Sequence, residues 1–234
     1  MSPCRPGRAV KDRLDTGGRD QRRTESPSAQ EGERADRDTT AGQPVAVPGW
    51  IARVNSADAP DEVLLIGGRS GVGKTSVGFE VSELLQGADV AHCLIDGDNL
   101  DAAYPKAPDD PHGTTITETN LRAMWATYRR IGHHRLVYVN TSSVLQAAMV
   151  TRAMGAHAHP RGVLLTASEA TVRTRLSSRE IGSTLQRHLS RSAAAAVRLD
   201  AEAPEWTVRV ATDGRTVTEI AELVLATTPW LPSG

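Results

Sequence analysis

Apolar residues along this chain come in two rhythms: short unbroken runs, and longer stretches with one apolar position every three or four. Val63-Leu64-Leu65-Ile66 is an unbroken run, the signature of a strand covered on both faces. Val77, Val81, Leu84 and Leu85 then recur at helical spacing, and Gly87 predicts the stop. The pair repeats down the chain. Further strands are predicted at 90–95, 136–139, 163–166 and 206–210. A helix starts near Thr115, whose spacing to Glu118 fits a capping box, and carries the stripe Leu121, Met124, Trp125, Tyr128 and Ile131 up to Gly132. Another runs through Met154, Ser168 is placed to cap the next, and arginine-rich helical stretches follow at 169–180 and 183–200. The last helix opens on Thr216 and Glu219, again at capping-box spacing, with Ile220, Leu223 and Val224 turned inward. Such regular alternation predicts an α/β chain, with a five-stranded, mostly parallel sheet between two helical layers.

The first 47 residues follow neither rhythm. Between Leu14 and Val45 there is no Val, Ile, Leu, Met, Phe, Trp or Tyr, and arginines interleave with Asp and Glu. A segment of this kind cannot bury enough apolar surface to offset its ordering entropy. Residues 1–47 are therefore predicted to be a disordered charged tail and 48–234 a folded domain. A net charge of −1 over the whole chain gives no electrostatic case for nucleic acid or an anionic membrane as partner. Cys4 and Cys93 lie far apart, which predicts neither a disulfide framework nor a metal cluster. His133-His134 and His157-x-His159 have no acidic or cysteine partner at ligand spacing and are expected at the surface. No apolar stretch approaches the ~20 residues that span a bilayer, and the N-terminus has no apolar secretion signal. The expectation is a soluble, cytoplasmic protein whose partner is a small molecule.

One segment narrows the chemistry sharply. Gly68-Arg69-Ser70-Gly71-Val72-Gly73-Lys74-Thr75 satisfies the phosphate-binding pattern G-x-x-x-x-G-K-[ST] at every fixed position. Its glycines let backbone N–H groups turn toward phosphate oxygens, Lys74 supplies a point charge for the outer phosphates, and the Thr75 hydroxyl can ligate Mg²⁺. The loop lies between a predicted strand and a predicted helix, so a helix N-terminus is aimed at the same anion. Gly68, Arg69, Ser70, Gly71, Val72, Gly73, Lys74, Thr75 and Ser76 are the expected contacts to ATP. Two more polar runs stand at strand ends: Asp96-Gly97-Asp98-Asn99 after the second and Asn140-Thr141-Ser142-Ser143 after the third. In an open parallel sheet all three converge on one edge. Asp96 and Asp98 are candidates for base or Mg²⁺ anchor, with Asp96 beside Thr75 as the expected metal pair.

The order of phosphate loop, acidic second-strand end and arginine-rich helices resembles the P-loop small-molecule and nucleotide kinases over residues 62–230. Asp96-Gly97-Asp98-Asn99 is especially similar to the Asp-Gly-Asp-Asn run of adenylyl-sulfate kinases. Their Ser-Pro-Tyr/Phe-type sequence after the third strand is absent, and Asn140 stands where many P-loop proteins have an aspartate. The resemblance implies a P-loop NTPase fold with a helical lid, use of ATP and Mg²⁺, and transfer of phosphate to a hydroxyl of a small metabolite or nucleotide. Arg173-x-Arg175-x-x-x-Arg179 resembles a lid, with Arg175 and Arg179 as candidates to close over the transferring phosphate. Arg187 and Arg191 form a second same-face pair. Asp213-Gly214-Arg215 is similar to the loop near the adenine ring, and the loop 101–117 would select the acceptor. Catalysis would then rest on Lys74, Asp96, Asp98, Arg175 and Arg179. The alternative is an ATP-binding regulatory ATPase, a switch without a small-molecule acceptor.

Overall fold

A computed structural model describes residues 59–178 and 185–231. The charged tail, Arg179 and the residues that join the two arginine-rich helices lie outside the described residues. In chain order the elements are β1 (Glu62–Gly67), α1 (Lys74–Gly87), β2 (Cys93–Asp96), α2 (Thr114–Arg130), β3 (Arg135–Val139), α3 (Ala147–Ala153), β4 (His159–Thr166), α4 (Glu169–Ser177), α5 (Leu185–Glu202), β5 (Val208–Ala211) and α6 (Val217–Leu225). Short 3-10 turns follow β2 at Gly97–Asn99 and precede α3 at Ser143–Gln146.

The five strands form one sheet in the order β2-β3-β1-β4-β5, and every pairing is parallel. β1 sits at the centre, and its four apolar residues Val63 to Ile66 are fully buried. Because side chains alternate along a strand, Leu64 and Ile66 enter one core and Val63 and Leu65 the other. The first core holds α1, α4 and α6 through Val77, Val81, Val172, Ile220 and Val224. The second holds α2 and α3 through Leu121, Trp125, Met149 and Val150. Helix α5 spans both, with Leu189 in the first core and Leu199 in the second. Burial also pushes the Cys93 thiol up to about 12, so it packs as an inert hydrophobe.

Five local expectations change. The strand predicted at 90–95 begins only at Cys93. Val90 N–H instead closes the end of α1 on Leu85, and the His92 ring bonds Val90 and Ser82. Likewise β5 starts at Val208 rather than Trp206, whose ring lies over Gly162 where any side chain would collide with it. The Thr115–Glu118 capping box is not formed. Asp110 accepts from the N–H groups of Thr114, Thr115 and Ile116, while Glu118 pairs with Arg122 and Arg152. Met124 and Leu223 face outward, since Thr117, Leu121 and Trp125 carry the inner face of α2 and Ile220, Ala221, Val224 and Leu225 that of α6. His134, expected at the surface, is 3% exposed and bonds Asp61. The box at Thr216 and Glu219 and the Ser168 cap are present as predicted.

One close approach positions the site. β3 lies between β1 and β2, so α1 must cross it for its first turn to meet the end of β2. Gly78 permits this: a Cβ there would lie 2.6 Å from Val139 Cγ2. Among the described residues no helix is long and apolar enough to cross a membrane. The cap on α2 gives a direct test. Asp110→Ala should cost about 1–2 kcal/mol in urea denaturation, whereas Glu118→Gln, at a surface ion pair, should stay within ~1 kcal/mol.

Candidate active site

The phosphate-binding loop leaves β1 and enters α1 through three glycines at positive φ: Gly68 at 140°, Gly71 at 90° and Gly73 at 98°. Two of them are also sterically required. A Cβ at Gly68 would lie 2.6 Å from the Leu165 carbonyl oxygen, and one at Gly71 would lie 2.9 Å from Val172 Cγ1. The loop is tied to the end of β3 by Gly68 N–H donating to Thr141 O at 3.1 Å. Lys74 is buried, with Nζ 3.4 Å from Arg69 O. Thr75 and Ser76 are exposed in the first turn of α1.

The acids of the second strand meet this loop. Thr75 Oγ1 donates to Asp96 Oδ2 at 3.3 Å. The other Asp96 oxygen accepts Asp98 N–H at 3.1 Å, which caps the 3-10 turn and turns Asp98 toward the end of β3. There Asn140 Nδ2 donates to Asp98 Oδ1 at 2.8 Å, while Asn140 Oδ1 accepts Ser142 N–H at 2.9 Å. Asn140 therefore orients the acid rather than supplying one. Gly97 between the two aspartates sits directly on the buried Tyr138 hydroxyl, where a side chain has no room. The Asp98 carboxyl is held above its ordinary value, chiefly by desolvation. Lys74 and the Thr141 N–H oppose that rise, and the neighbouring charges of Asp96 and Asp101 add to it.

The arginines are placed differently from the sequence expectation. Arg69 is buried and turned away from the loop's concave face, bonding Glu169 Oε2 at 2.7 Å and Ala167 O at 3.2 Å. Arg175 reaches the loop from outside: Nη1 donates to Val72 O at 3.1 Å, Gly71 O at 3.4 Å and Thr212 Oγ1 at 3.1 Å. It braces the loop's carbonyls, where the sequence had suggested contact with phosphate. Arg187 and Arg191 are exposed on α5.

Beside the loop a cleft of about 210 Å³ runs between Gly71–Gly73, Arg175, Arg215, Val217 and Ile220. The turn that leads to Arg215 is held by Asp213, which accepts from Ser168 N–H, from Ser168 Oγ at 2.7 Å and from Thr171 Oγ1 at 2.6 Å. These hydroxyls, Thr171 first, lower the Asp213 carboxyl to about 2. The turn after β5 is thereby locked to the start of α4. Sequence reasoning placed Asn140 and Asp213 at strand ends without finding their partners and missed Ser192 of α5, because each acts through a partner at least 42 positions away. The readable signal was only that polar residues stand at strand ends.

No family model and no curated protein matches the chain. Solved structures do. The tunicamycin resistance protein of Deinococcus radiodurans aligns with TM-score 0.50 and 17% identity over 74% of this chain and 99% of its own. The two share an α/β fold, here a five-stranded parallel sheet covered by helices. A gluconokinase from Sinorhizobium meliloti aligns with TM-score 0.47 and 21% identity, covering 72% of this chain and 91% of its own. The APS kinase CysC of Mycobacterium tuberculosis aligns with TM-score 0.43 and 19% identity, covering 72% and 97%.

Two titrations check this geometry. In carboxyl-detected NMR, Asp98 should titrate above the usual carboxylate value of 3.8, and Lys74→Met should raise it further by removing the opposing cation. The low Asp213 value contributes stability that is fully present above pH ~4 and is lost as pH falls toward about 2. Asp213→Asn should flatten that limb of the stability–pH curve.

Proposed function

We propose that the chain is an ATP-dependent phosphotransferase that acts on a hydroxyl of a small-molecule acceptor. The observation that carries this reading is the convergence of Lys74, the Thr75–Asp96 pair and the oriented Asp98 at one loop. Loop amides and Lys74 would hold the outer phosphates. Thr75 Oγ1 and Asp96 Oδ2, 3.3 Å apart, are two hard oxygen donors suited to a Mg²⁺ that completes its shell with phosphate oxygens and water. That ion would supply charge neutralisation at the phosphates. The cleft beside Arg175 and Arg215 suits the nucleoside, walled on its apolar side by Val217 and Ile220.

Asp98 has the properties of a general base. Asn140 and the Thr141 N–H hold its carboxylate in place, and its raised affinity for a proton suits it to accept one from an acceptor hydroxyl. The acceptor would enter beside the loop 101–113. That loop is pinned by Lys106 on Asp101, at 2.6 Å to the carboxylate, and by Asp110 on α2. Arg175 contributes by holding the loop's shape.

The test is ADP release from purified protein with ATP–Mg²⁺ across a panel of hydroxylated metabolites. Turnover should depend on the acceptor, and Asp98→Asn should lower it by ~10²–10⁴ with ATP affinity retained. Hydrolysis that ignores every acceptor yet disappears in Lys74→Ala would favour the regulatory ATPase instead.

A further inference from the structure

A planar peptide links the carbonyl of one residue to the N–H of the next, on opposite sides of the bond. Fixing a carbonyl on the outside of the phosphate-binding loop therefore aims the following N–H inward. Two such carbonyls are fixed by elements distant in sequence. Ser192 Oγ on α5 donates to Ser70 O at 2.8 Å, and Arg175 Nη1 on α4 donates to Val72 O at 3.1 Å. The amides so aimed are those of Gly71 and Gly73, both at positive φ. Among the described residues, neither N–H donates to another backbone carbonyl. Ser192 is 2% exposed on a helix face otherwise lined by Leu189 and Leu199. Most buried hydroxyls find a partner, and this one finds a carbonyl of the phosphate-binding loop.

We propose that Ser192 is a positioning residue for phosphate binding: through the Ser70 carbonyl it aims the Gly71 amide, and so couples the docking of α5 to occupation of the loop. This rests on the nucleotide-binding reading above. The coupling is reciprocal by thermodynamic necessity. A triphosphate that needs the Gly71 amide inward tightens the seat of α5, and loosening α5 weakens the triphosphate. A nucleoside without phosphates makes no use of that amide and is indifferent to Ser192.

The experiment compares wild type, Ser192→Ala and Ser192→Thr, each shown folded by circular dichroism, for binding of ATP and of adenosine by calorimetry. Loss of one aimed hydrogen bond should weaken ATP by about 3–10-fold in Ser192→Ala. Adenosine should be unchanged, and Ser192→Thr, which keeps the hydroxyl, should bind ATP within about twofold of wild type. A purely structural role would lower thermal stability without separating the two ligands. Unchanged ATP affinity in Ser192→Ala, or equal losses for ATP and adenosine, overturns the proposal. Hydrogen exchange on wild type gives a second readout that needs no variant: ATP should slow exchange across 189–196, and no change there overturns the coupling. Wild type that fails to bind ATP at all sinks the nucleotide reading itself, an outcome distinct from binding that ignores Ser192.

Discussion

Backbone amides can hold an anion only if they are kept from satisfying themselves elsewhere. That constraint runs through this molecule. The loop between β1 and α1 turns through three positive-φ glycines, the N–H groups of Gly71 and Gly73 donate to no backbone carbonyl among the described residues, and the carbonyl sides of those two peptides are engaged from outside by Ser192 and Arg175. Remove the outer bonds and the loop retains its sequence but loses the restraint on its amides. The shape of the loop thus depends as much on α4 and α5 as on the glycine-rich segment itself.

The acids depend on an equally physical arrangement. With β3 inserted between β1 and β2, the second strand's carboxylates would stand a full strand further from the loop. The Gly78 contact with Val139 lets α1 lie close on β3, and Thr75 then reaches Asp96. Asp96 in turn holds the backbone of Asp98, and Asn140 holds its carboxylate. A residue in the position where an aspartate is common thus serves the acid of a different strand. One carboxylate bonds Thr75 and the Asp98 backbone, and the other has its proton affinity raised by its surroundings.

Much of this was legible in the residues. The buried run Val63–Ile66 and the helical spacing after it located the central strand and the first helix, because those signals depend only on burial and period. The capping box at Thr216 was readable because both partners lie within one turn. Thr115 failed on the same signature, since Asp110 took the Thr115 N–H from a preceding loop whose path the sequence does not specify. In the site, the loop glycines and the two aspartates were visible as motif and position. The pairing of Asn140 with Asp98 and the outward placement of Arg175 were not, since they depend on which strands become neighbours and on how α4 lies over the loop. Arginine spacing showed a shared helix face without showing what that face would touch.

The central claim is tested most directly by a crystal structure of the protein with Mg²⁺ and a non-hydrolysable ATP analogue. Phosphate oxygens should accept hydrogen bonds from Gly71 and Gly73 N–H, Mg²⁺ should bind Thr75 Oγ1, and the Asp98 carboxylate should face the terminal phosphate. A triphosphate bound away from the loop, or an Asp98 turned from that phosphate, would contradict the account.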